Sequence, residues 1–294
     1  MNKKILITGG SGFIGKSLTL NLLDKNFTIY TVLNNKKQNK ELSLQLKRKY
    51  KNFKPIFIDN INQIEKKISK IDASIIINLA SRYLRNHNFS KMIDLINSNI
   101  LFSTSVLEAF PKKKLKQFIN LSSVMMHKNS EKYLPLNLYA ATKKSFLDIL
   151  KYYETTFKNV KFYNLFLHDI YGENDQRDKI IHTIIMSHKK NKKIYINSKK
   201  LALNLLNVED VNQAINLIIN KKIKSGDYII KSNKFTNMIN LINKINLKIK
   251  KKIRFRVLNK EIEKEIKKKI KLLPYWKQKF TIEKDLIKYL DENN

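Results

Sequence analysis

The sequence contains no cysteine, and it has only four prolines, six glycines and one tryptophan among 294 residues. The absence of cysteine excludes disulfide bonds, thiolate metal ligands and a cysteine nucleophile. No apolar run approaches the roughly 20 residues that cross a bilayer, and the apolar stretch at residues 5–8 is too short for a secretory signal. We therefore expect a cytoplasmic protein with no membrane partner.

Acidic residues are also few, since 24 Asp and Glu stand against 59 Lys and Arg, which gives a formal charge of +35. Such a charge suggests a nucleic-acid partner. However, 53 of the cations are Lys and only 6 are Arg, the residue best suited to grip phosphate and stack on bases. Lys, Ile and Asn together make up 129 residues, and these types have A/T-rich codons. Coding bias therefore explains most of the basicity, and nucleic acid is not the expected partner.

Short apolar runs alternate with helical periodicity through the first 168 residues. A buried run such as 74–79 is typical of a parallel strand covered on both faces, and strand–helix alternation predicts right-handed crossovers. We predict an α/β fold with a Rossmann-type doubly wound parallel sheet. The predicted strands are 5–8, 28–33, 55–58, 74–79, 117–121 and 160–167, and the predicted helices are 13–23, 60–71, 94–110 and 138–153.

The pattern is looser after residue 168. Residues 1–168 are predicted to form the dinucleotide-binding domain, and residues 169–294 a smaller mixed α/β lobe that binds substrate. The lobe is expected to pack on the first domain, because no proline- or serine-rich linker separates them. Its predicted helices are 178–190, 208–220, 235–246 and 259–271, and its strands are 194–196, 227–231 and 253–257.

Residues Gly10 to Gly15 match the G-x-G-x-x-G fingerprint between the first strand and the first helix, and Gly9 adds a second glycine spacing. One glycine permits the tight turn, one lets the backbone approach a pyrophosphate, and one lets helix and strand pack closely. The N-terminus of the helix then attracts the anion. The fingerprint predicts a dinucleotide site.

The second predicted strand ends at Leu33 and is followed by Asn34, Asn35 and Lys36, with no carboxylate. A carboxylate here would bind both ribose hydroxyls of NAD, whereas a cation favours the 2′-phosphate of NADP. NADP is therefore the favoured cofactor, and NAD is the alternative. Asp59, at the end of the third strand, either meets the adenine amino group or caps the helix that follows.

Tyr139 and Lys143 lie one turn apart on a helix, and Ser123 ends the fifth strand at the ligand-binding edge of the sheet. An ammonium beside a phenol stabilises the phenolate and lowers the tyrosine pKa. The phenol can then exchange a proton with a carbonyl or an alcohol while hydride moves, and the serine hydroxyl steadies the developing charge. Histidine spacing gives no support for a metal site.

These motifs together resemble the extended short-chain dehydrogenase/reductase family, also called the NAD-dependent epimerase/dehydratase family. The residues that carry the resemblance are 8–15, 78–81, Asn99, 107–109, 121–123, 139–143, 169–172, 208–211 and the tail at 273–276 and 281–283. Residues 97–108, 118–143 and 171–175 are similar to the CDP-abequose and CDP-paratose synthase branch, which reduces a CDP-linked 4-keto-dideoxyhexose with NADPH. Phe166 and residues 201–204 depart from the family at positions beside the sugar.

The resemblance completes the predicted site. It also implies a homodimer formed through a four-helix bundle, built from helix 94–110 and the helix of Tyr139. The predicted catalytic residues are Ser123, Tyr139 and Lys143; the cofactor residues are Gly9, Gly12, Phe13, Ile14, Asn34, Lys36, Asp59, Asn60, Leu79, Ala80, Tyr139 and Lys143; and the substrate residues are Ser81, Ser123, His127, Asp169 and Arg254. His127 either lines the sugar pocket or is an ordinary loop histidine, and Asp169 either contacts substrate or caps the turn that follows it.

The leading functional hypothesis is an NADPH-dependent reductase of a nucleotide-linked 4-keto-deoxyhexose, with a nucleotide-diphosphate sugar as substrate. One alternative is a nucleotide-sugar 4-epimerase that retains NAD. The other is a non-catalytic RNA-binding or scaffold protein on the same fold.

Overall fold

A computed structural model describes residues 3–127, 132–260 and 270–291. Its strands are β1 (Lys4–Thr8), β2 (Thr28–Leu33), β3 (Phe53–Phe57), β4 (Ile75–Asn78), β5 (Gln117–Ser123), β6 (Lys161–Leu167), β7 (Asp169–Tyr171), β8 (Ile194–Ile196), β9 (Ala202–Leu203), β10 (Leu205–Asn207), β11 (Gly226–Ile230), β12 (Thr236–Asn237) and β13 (Phe255–Val257). Its helices are α1 (Phe13–Asp24), α2 (Lys37–Lys49), α3 (Ile64–Ile68), α4 (Phe89–Ile96), α5 (Phe102–Ala109), α6 (Leu138–Thr156), α7 (Ile180–Lys189), α8 (Val208–Asn220), α9 (Met238–Lys248) and α10 (Ile282–Asp291).

A seven-stranded parallel sheet in the order β11-β6-β5-β4-β1-β2-β3 forms the centre of the molecule. The predicted Rossmann-type fold is therefore confirmed. Alternate residues of a strand point to opposite faces, so Ile5 and Ile7 enter one core while Leu6 enters the other. Helices α1 and α8 cover the first face, and α3, α5 and α6 cover the second.

The seventh strand of this sheet, β11, comes from the part of the chain beyond residue 168. It pairs with β6, and α8 packs beside α1 under the sheet. The chain therefore returns to the central sheet after the predicted domain boundary. The remaining part forms its own core from α7, α9 and α10 together with the short pairs β8–β13 and β9–β12.

A row of polar side chains, buried except for Asp227 at its end, crosses the sheet. Asn78 accepts a hydrogen bond from the Thr8 hydroxyl at 2.8 Å and donates to Asn120 at 3.1 Å; Asn120 then donates to Asn164 at 3.2 Å, and Asn164 to Asp227 at 2.9 Å. These residues are in register on neighbouring strands. Buried amides are costly unless paired, so this row favours one strand register.

Several element boundaries differ from the sequence prediction. Helix α2 was not predicted, because residues 37–49 are rich in lysine and bury only one large apolar side chain, Leu46. The helix predicted from residue 94 begins at Phe89 and continues through a π-helical turn at Asn97–Leu101 into α5. The helix predicted at 60–71 is a 3-10 turn at Ile61–Gln63 followed by α3. Most of the helix predicted at 259–271 lies outside the described residues.

Candidate active site

The glycine turn joins β1 to α1 with very little space between backbones. A Cβ on Gly9 would lie 2.7 Å from the Ala80 nitrogen, and one on Gly15 would lie 2.1 Å from the Gly9 carbonyl oxygen. Gly9 also has a φ of +70°, a conformation that favours glycine. A Cβ on Gly12 would meet only the Gly9 oxygen, at 3.3 Å. Gly9 and Gly15 thus allow the backbones of the turn, the helix and the segment after β4 to pack closely. Gly12 leaves space for a ligand at the N-terminus of α1.

The N-terminus of α1 is suited to bind an anion. The residue before α1 is Gly12, which has no side chain to cap the helix, and the first turn of α1 carries no acidic residue. The first-turn amides, which include those of Phe13 and Ile14, have no partner within the helix and carry the positive end of its dipole. The close glycine turn and these amides fit a dinucleotide pyrophosphate. Leu79 and Ala80 face this turn, and their amides donate to the Thr8 hydroxyl at 3.2 and 3.1 Å.

The loops after β2 and β3 meet at the predicted adenosine end. Both oxygens of Asp59 accept hydrogen bonds from Asn35, one from its backbone amide at 2.8 Å and one from its side chain. These bonds hold the pKa of the Asp59 carboxyl below its usual value. The 3-10 turn at Ile61–Gln63 is preceded by Asn60, whose side chain makes no capping hydrogen bond to it. Asp59 is therefore not a helix cap, and the contact between Asp59 and adenine stays a prediction.

The loop after β2 is organised around Asn34. Its side-chain oxygen accepts from the Lys36 amide at 3.3 Å and from the Asn39 side chain at 2.6 Å. Lys36 is exposed, as are Lys37 and Lys40 on the first turn of α2. The adenosine end therefore presents ammonium groups and no free carboxylate among the described residues of this loop.

Tyr139 lies in the first turn of α6, where the Asn137 side chain caps the helix by accepting from the Ala140 amide at 3.0 Å. The hydroxyls of Ser81, after β4, and Ser123, at the end of β5, both interact with the phenol and favour its ionised form. Lys143 follows one turn later and is 4% exposed. The structure thus brings together the three predicted catalytic residues and Ser81.

The electrostatics of this group differ from the expectation that Lys143 lowers the Tyr139 pKa. Burial of the phenol is the largest effect, and it raises the pKa of Tyr139 to about 12. Burial also lowers the pKa of Lys143 to about 8. The expected lowering is not found, because the cost of removing the phenolate charge from water exceeds the stabilisation by Ser81, Arg177 and Ser123. Tyr139 is consequently a protonated phenol at neutral pH.

A second tyrosine and a lysine complete this wall of the crevice. The ring of Tyr83 packs edge-on against Tyr139, with 5.0 Å between ring centroids. The ammonium of Lys179 lies 4.5 Å from the centroid of Tyr83 and forms an ion pair with Asp169 at 2.8 Å. Asp169, which is predicted to contact substrate, is therefore connected to Tyr139 by successive contacts through Lys179 and Tyr83.

Arg177, Asp175 and Phe13 form a second cluster, which includes the first residue of α1. The guanidinium carbon of Arg177 lies 4.3 Å from the centroid of the Phe13 ring. Its Nε donates to Asp175 at 2.7 Å, and its Nη2 donates to Asp175 at 2.8 Å and to the Ile170 carbonyl at 2.6 Å. Gly172 permits this packing, since a Cβ there would lie 3.0 Å from Phe13 Cζ.

Four residues of this region were not predicted as site residues. They are Tyr83, Asn99, Arg177 and Lys179. Asn99 was noted for the family resemblance, but no motif spacing connects the other three to Tyr139 in a chain with 13 tyrosines and 59 cations. Arg177 and Lys179 come from the segment after β7, whereas Tyr83 follows β4 and Asn99 lies in the π-helical turn before α5.

Two predicted substrate residues have structural contacts of their own. His127 is 4% exposed, and its Nδ1 lies 2.9 Å from the Lys132 carbonyl oxygen, which fits a histidine that holds its loop. Arg254 is exposed and donates to the Asn191 carbonyl, just beyond the end of α7. The contacts of the described residues do not join Arg254 to Tyr139, and the substrate roles of both residues stay predictions.

The described residues contain neither a metal-binding cluster nor a membrane-spanning helix. No group of three or more His, Cys, Asp or Glu side chains is arranged to hold a metal ion. None of the described helices has the length and apolar character needed to cross a bilayer.

Comparison with known proteins gives consistent matches. The family model for the NAD dependent epimerase/dehydratase family matches residues 5–230. CDP-abequose synthase from Yersinia pseudotuberculosis is 29% identical over 226 residues, which cover 76% of this chain and 75% of that protein. A dTDP-D-glucose 4,6-dehydratase from Dictyostelium discoideum is 28% identical over 244 residues, 74% of this chain and 56% of that protein.

Solved structures show the same fold. UDP-glucuronic acid 4-epimerase from Bacillus cereus, in complex with UDP-glucuronic acid and NAD, superposes with a TM-score of 0.80 at 20% identity over 98% of this chain and 99% of that chain. A dTDP-glucose 4,6-dehydratase from Bacillus anthracis, in complex with NAD, gives a TM-score of 0.77 at 19% identity over 98% of this chain and 96% of that chain.

Proposed function

Because this chain belongs to the NAD-dependent epimerase/dehydratase family, we propose that it reduces a nucleotide-linked 4-keto-deoxyhexose with NADPH. Family membership makes it an NAD(P)-dependent enzyme that modifies nucleotide sugars. The observation that supports the reductive direction is the adenosine end, where exposed lysines and the absence of a carboxylate at Asn34 favour NADPH over NAD. The Tyr139 phenol, which burial keeps protonated, can then give its proton to the sugar carbonyl.

The proton transfer follows from the groups around the phenol. A nicotinamide dinucleotide, when bound beside the glycine turn, would supply the hydride for C4 of the sugar. Tyr139 gives its proton to the C4 oxygen, so the carbonyl becomes an alcohol and the phenol becomes a phenolate. Ser81 and Ser123 stabilise that phenolate, and a proton from solvent restores the phenol.

The residues at the adenosine end support NADPH as the reductant. Lys36, Lys37 and Lys40 lie beside the end of β2, and Asn34 stands where a carboxylate would favour NAD. First-turn amides of α1 hold the pyrophosphate, and Gly12 leaves room for it. Each oxygen of Asp59 accepts one bond from Asn35 and keeps a second lone pair, so the carboxylate can also accept from the adenine amino group.

The sugar end supports a diphosphate-linked substrate. Lys179 and Asp169 lie next to Tyr83, which packs on Tyr139. A substrate phosphate near Lys179 would compete with Asp169 for the ammonium. CDP is the proposed nucleotide, because the similar proteins from Yersinia pseudotuberculosis and Salmonella muenchen are CDP-abequose synthases at 29% identity.

The proposed assembly is a homodimer through α4, α5 and α6. Phe89, Ile93 and Ile96 lie on one side of α4 at helical spacing, and they are 78%, 43% and 37% exposed. Tyr152 on α6 is 64% exposed. Apolar side chains grouped in this way mark an interaction surface, and a second copy of the same helices would form the four-helix bundle.

The reaction is tested by incubating the purified protein with NADPH and a CDP-linked 4-keto-deoxyhexose. We expect loss of NADPH absorbance together with formation of the 4-hydroxy sugar. Tyr139→Phe should lower the rate by roughly 10²–10⁴-fold while NADPH still raises the melting temperature. Tyr195→Phe is the matched control, because that tyrosine is 60% exposed on β8. Tightly retained NAD with no net use of NADPH would instead indicate a 4-epimerase, and salt-sensitive RNA binding without turnover would indicate the non-catalytic alternative.

A further inference from the structure

Tyr83 is held by contacts to its ring on two sides. It lies exposed in the loop that follows β4. One contact is the edge-on packing against Tyr139, with 5.0 Å between the ring centroids and 82° between the ring planes. The other is the ammonium of Lys179, which lies 4.5 Å from the centroid of the Tyr83 ring. Edge-to-face aromatic pairs and cation–π contacts are both favourable at such distances, so the two contacts hold the ring of Tyr83 in one place.

Lys179 is itself fixed by the segment after β7. Its ammonium forms an ion pair with Asp169 at 2.8 Å, and the two side chains are only 22% and 27% exposed. Asp169 is the first residue of β7, and the carbonyl of Lys179 accepts the amide of Thr183 at 2.9 Å in the first turn of α7. A partly buried ion pair is screened less than a surface pair. The ammonium of Lys179 therefore keeps its position against the ring of Tyr83.

Proton transfer from Tyr139 depends on the plane of its ring as well as on the place of its oxygen. The hydroxyls of Ser81 and Ser123 hydrogen-bond to the phenol, and these bonds define where the oxygen lies. The bond from Cβ to the ring points along the axis through that oxygen, so the ring can turn about it while the oxygen stays in place. Conjugation keeps the O–H bond of a phenol in the ring plane, so turning the ring changes the direction in which the proton leaves. A neighbouring ring packed against Tyr139 restrains that rotation.

We propose that Tyr83, held by the ion pair of Lys179 and Asp169, is a positioning residue that fixes the ring plane of Tyr139 and so directs its O–H bond towards the C4 oxygen of the sugar. The ring of Tyr83 carries this role, because the contacts to Tyr139 and Lys179 are both made by the ring. The consequence for catalysis rests on the proposed function, whereas the restraint on the Tyr139 ring is a property of the chain alone.

The first test measures that restraint without cofactor or substrate. The protein is labelled with ring-¹³C tyrosine, and the signals of Tyr139 are identified by their absence in Tyr139→Phe. The rate at which this ring turns by 180° is then obtained from the NMR line shapes. Tyr83→Leu should raise that rate about three- to tenfold, the factor that corresponds to the free energy of one aromatic pair, whereas Tyr83→Phe should leave it unchanged.

Tyr275→Leu is the matched control for this measurement. Tyr275 is also an exposed tyrosine with a lysine ammonium, that of Lys221, 4.8 Å from its ring centroid, but its ring contact is not to Tyr139. We expect this variant to leave the rotation of Tyr139 as it is in the parent protein. An unchanged rate in Tyr83→Leu, with the fold intact by circular dichroism, overturns the inference whether or not the protein reduces sugars.

The second test separates positioning from binding in the reaction itself. Tyr83→Leu should lower kcat about 10- to 100-fold, as expected for a misdirected reacting group, while the KM for the sugar and the Kd for NADPH stay nearly constant. Tyr83→Phe should keep most of the parent rate. Lys179→Gln should lower kcat about three- to tenfold in the parent protein and have little further effect on kcat in Tyr83→Leu, because it acts through that ring.

Two kinetic results would contradict the proposal. One is a loss of kcat in Tyr83→Phe as large as that in Tyr83→Leu, which would assign the role to the hydroxyl. The other is an equal effect of Lys179→Gln on kcat in both backgrounds, which would show that Lys179 acts independently of Tyr83. If no sugar is reduced at all, the proposed function fails, while the NMR measurement still decides whether Tyr83 restrains Tyr139.

Discussion

The side-chain amide of Asn99 donates a hydrogen bond of 2.9 Å to the hydroxyl of Thr142, which lies three residues beyond Tyr139 on α6. The oxygen of the same amide accepts from the Ser81 hydroxyl at 3.1 Å and from the Arg82 backbone at 2.7 Å. Asn99 lies in the π-helical turn between α4 and α5 and is 1% exposed. One buried side chain therefore connects Ser81 to the helix that carries Tyr139, and a π-turn at such a position is typical of a functional site.

Replacing Asn99 should disturb both stability and catalysis. Asn99→Ala leaves the amide of Arg82 without its partner and removes the bond that the Thr142 hydroxyl accepts, although that hydroxyl still donates to the Tyr139 carbonyl. We expect a loss of about 2–4 kcal/mol in the free energy of unfolding. The rate should fall because Ser81 is no longer held beside Tyr139, while the Kd for NADPH should change little. Urea unfolding and steady-state kinetics check this. Asn240→Ala, at an exposed position on α9, is the control, and an equal effect there would contradict the role of Asn99.

The glycine turn predicts two different outcomes for two alanine substitutions. Gly15→Ala places a methyl group 2.1 Å from the Gly9 carbonyl oxygen, so it should cost about 1–3 kcal/mol of stability. Gly12→Ala meets only that oxygen at 3.3 Å, and its φ of −73° suits any residue. It should keep the melting temperature but lower NADPH affinity about tenfold or more, because the methyl group stands where the pyrophosphate approaches. Thermal unfolding and fluorescence titration with NADPH distinguish the two variants, and the reverse pattern would refute this assignment.

The buried Lys143 should destabilise the folded protein by an amount that depends on pH. Its folded-state pKa, about 8, is below the ordinary 10.5, so between these values the unfolded chain binds more protons and stability rises with pH. Below pH 8 the buried charge costs about 3 kcal/mol at 1.36 kcal/mol per unit. Lys143→Met should therefore stabilise the protein at pH 7 by roughly 1–3 kcal/mol while lowering activity. The gain in urea unfolding should shrink towards pH 10, and a gain that instead grows with pH would contradict the depressed pKa.

Cofactor preference should respond to one charge at the end of β2. Asn34→Asp keeps an oxygen that accepts from the Lys36 amide and the Asn39 side chain, and it adds a carboxylate that binds ribose hydroxyls and repels a 2′-phosphate. We expect the ratio of the Kd for NADPH to the Kd for NADH to rise about tenfold or more. Gln38→Glu adds the same charge at an exposed position on α2 and should have a much smaller effect. Isothermal titration with both cofactors measures the ratio, and equal changes in the two variants would exclude a specific role for Asn34.

A charge introduced on the proposed dimer surface of α4 should separate the dimer into monomers. Ile93→Lys introduces an ammonium in the middle of the exposed apolar side of α4, and burying it against a second copy would be costly. We expect the molar mass measured by light scattering to fall from that of a dimer to that of a monomer. Leu247→Lys is the matched control, because Leu247 on α9 is 85% exposed and lies outside α4, α5 and α6. A parent protein that is already monomeric would refute the proposed assembly.

Much of the fold was accessible from the sequence because its signals are local. Apolar runs bounded by glycine or polar residues located β1, β4 and β6, and the helical pattern over Val208–Asn220 gave α8 with its observed bounds. Helix α2 was missed because its lysine-rich sequence has no apolar periodicity. The polar row from Thr8 to Asp227 was also missed, because its members meet only when the strands are in register.

The sequence by itself determined where the glycine turn and the pair of Tyr139 and Lys143 lie. Glycine spacing constrains a turn, and the four-residue interval from Tyr139 to Lys143 places both on one side of a helix. Only the tertiary structure decided the chemistry of that group. Burial sets the charges of Tyr139 and Lys143, and the fold of the segment after β7 brings Arg177 and Lys179 over the crevice. The physical reason is that desolvation and long-range charge depend on which atoms surround a group in space, and residue spacing along the chain does not specify those neighbours.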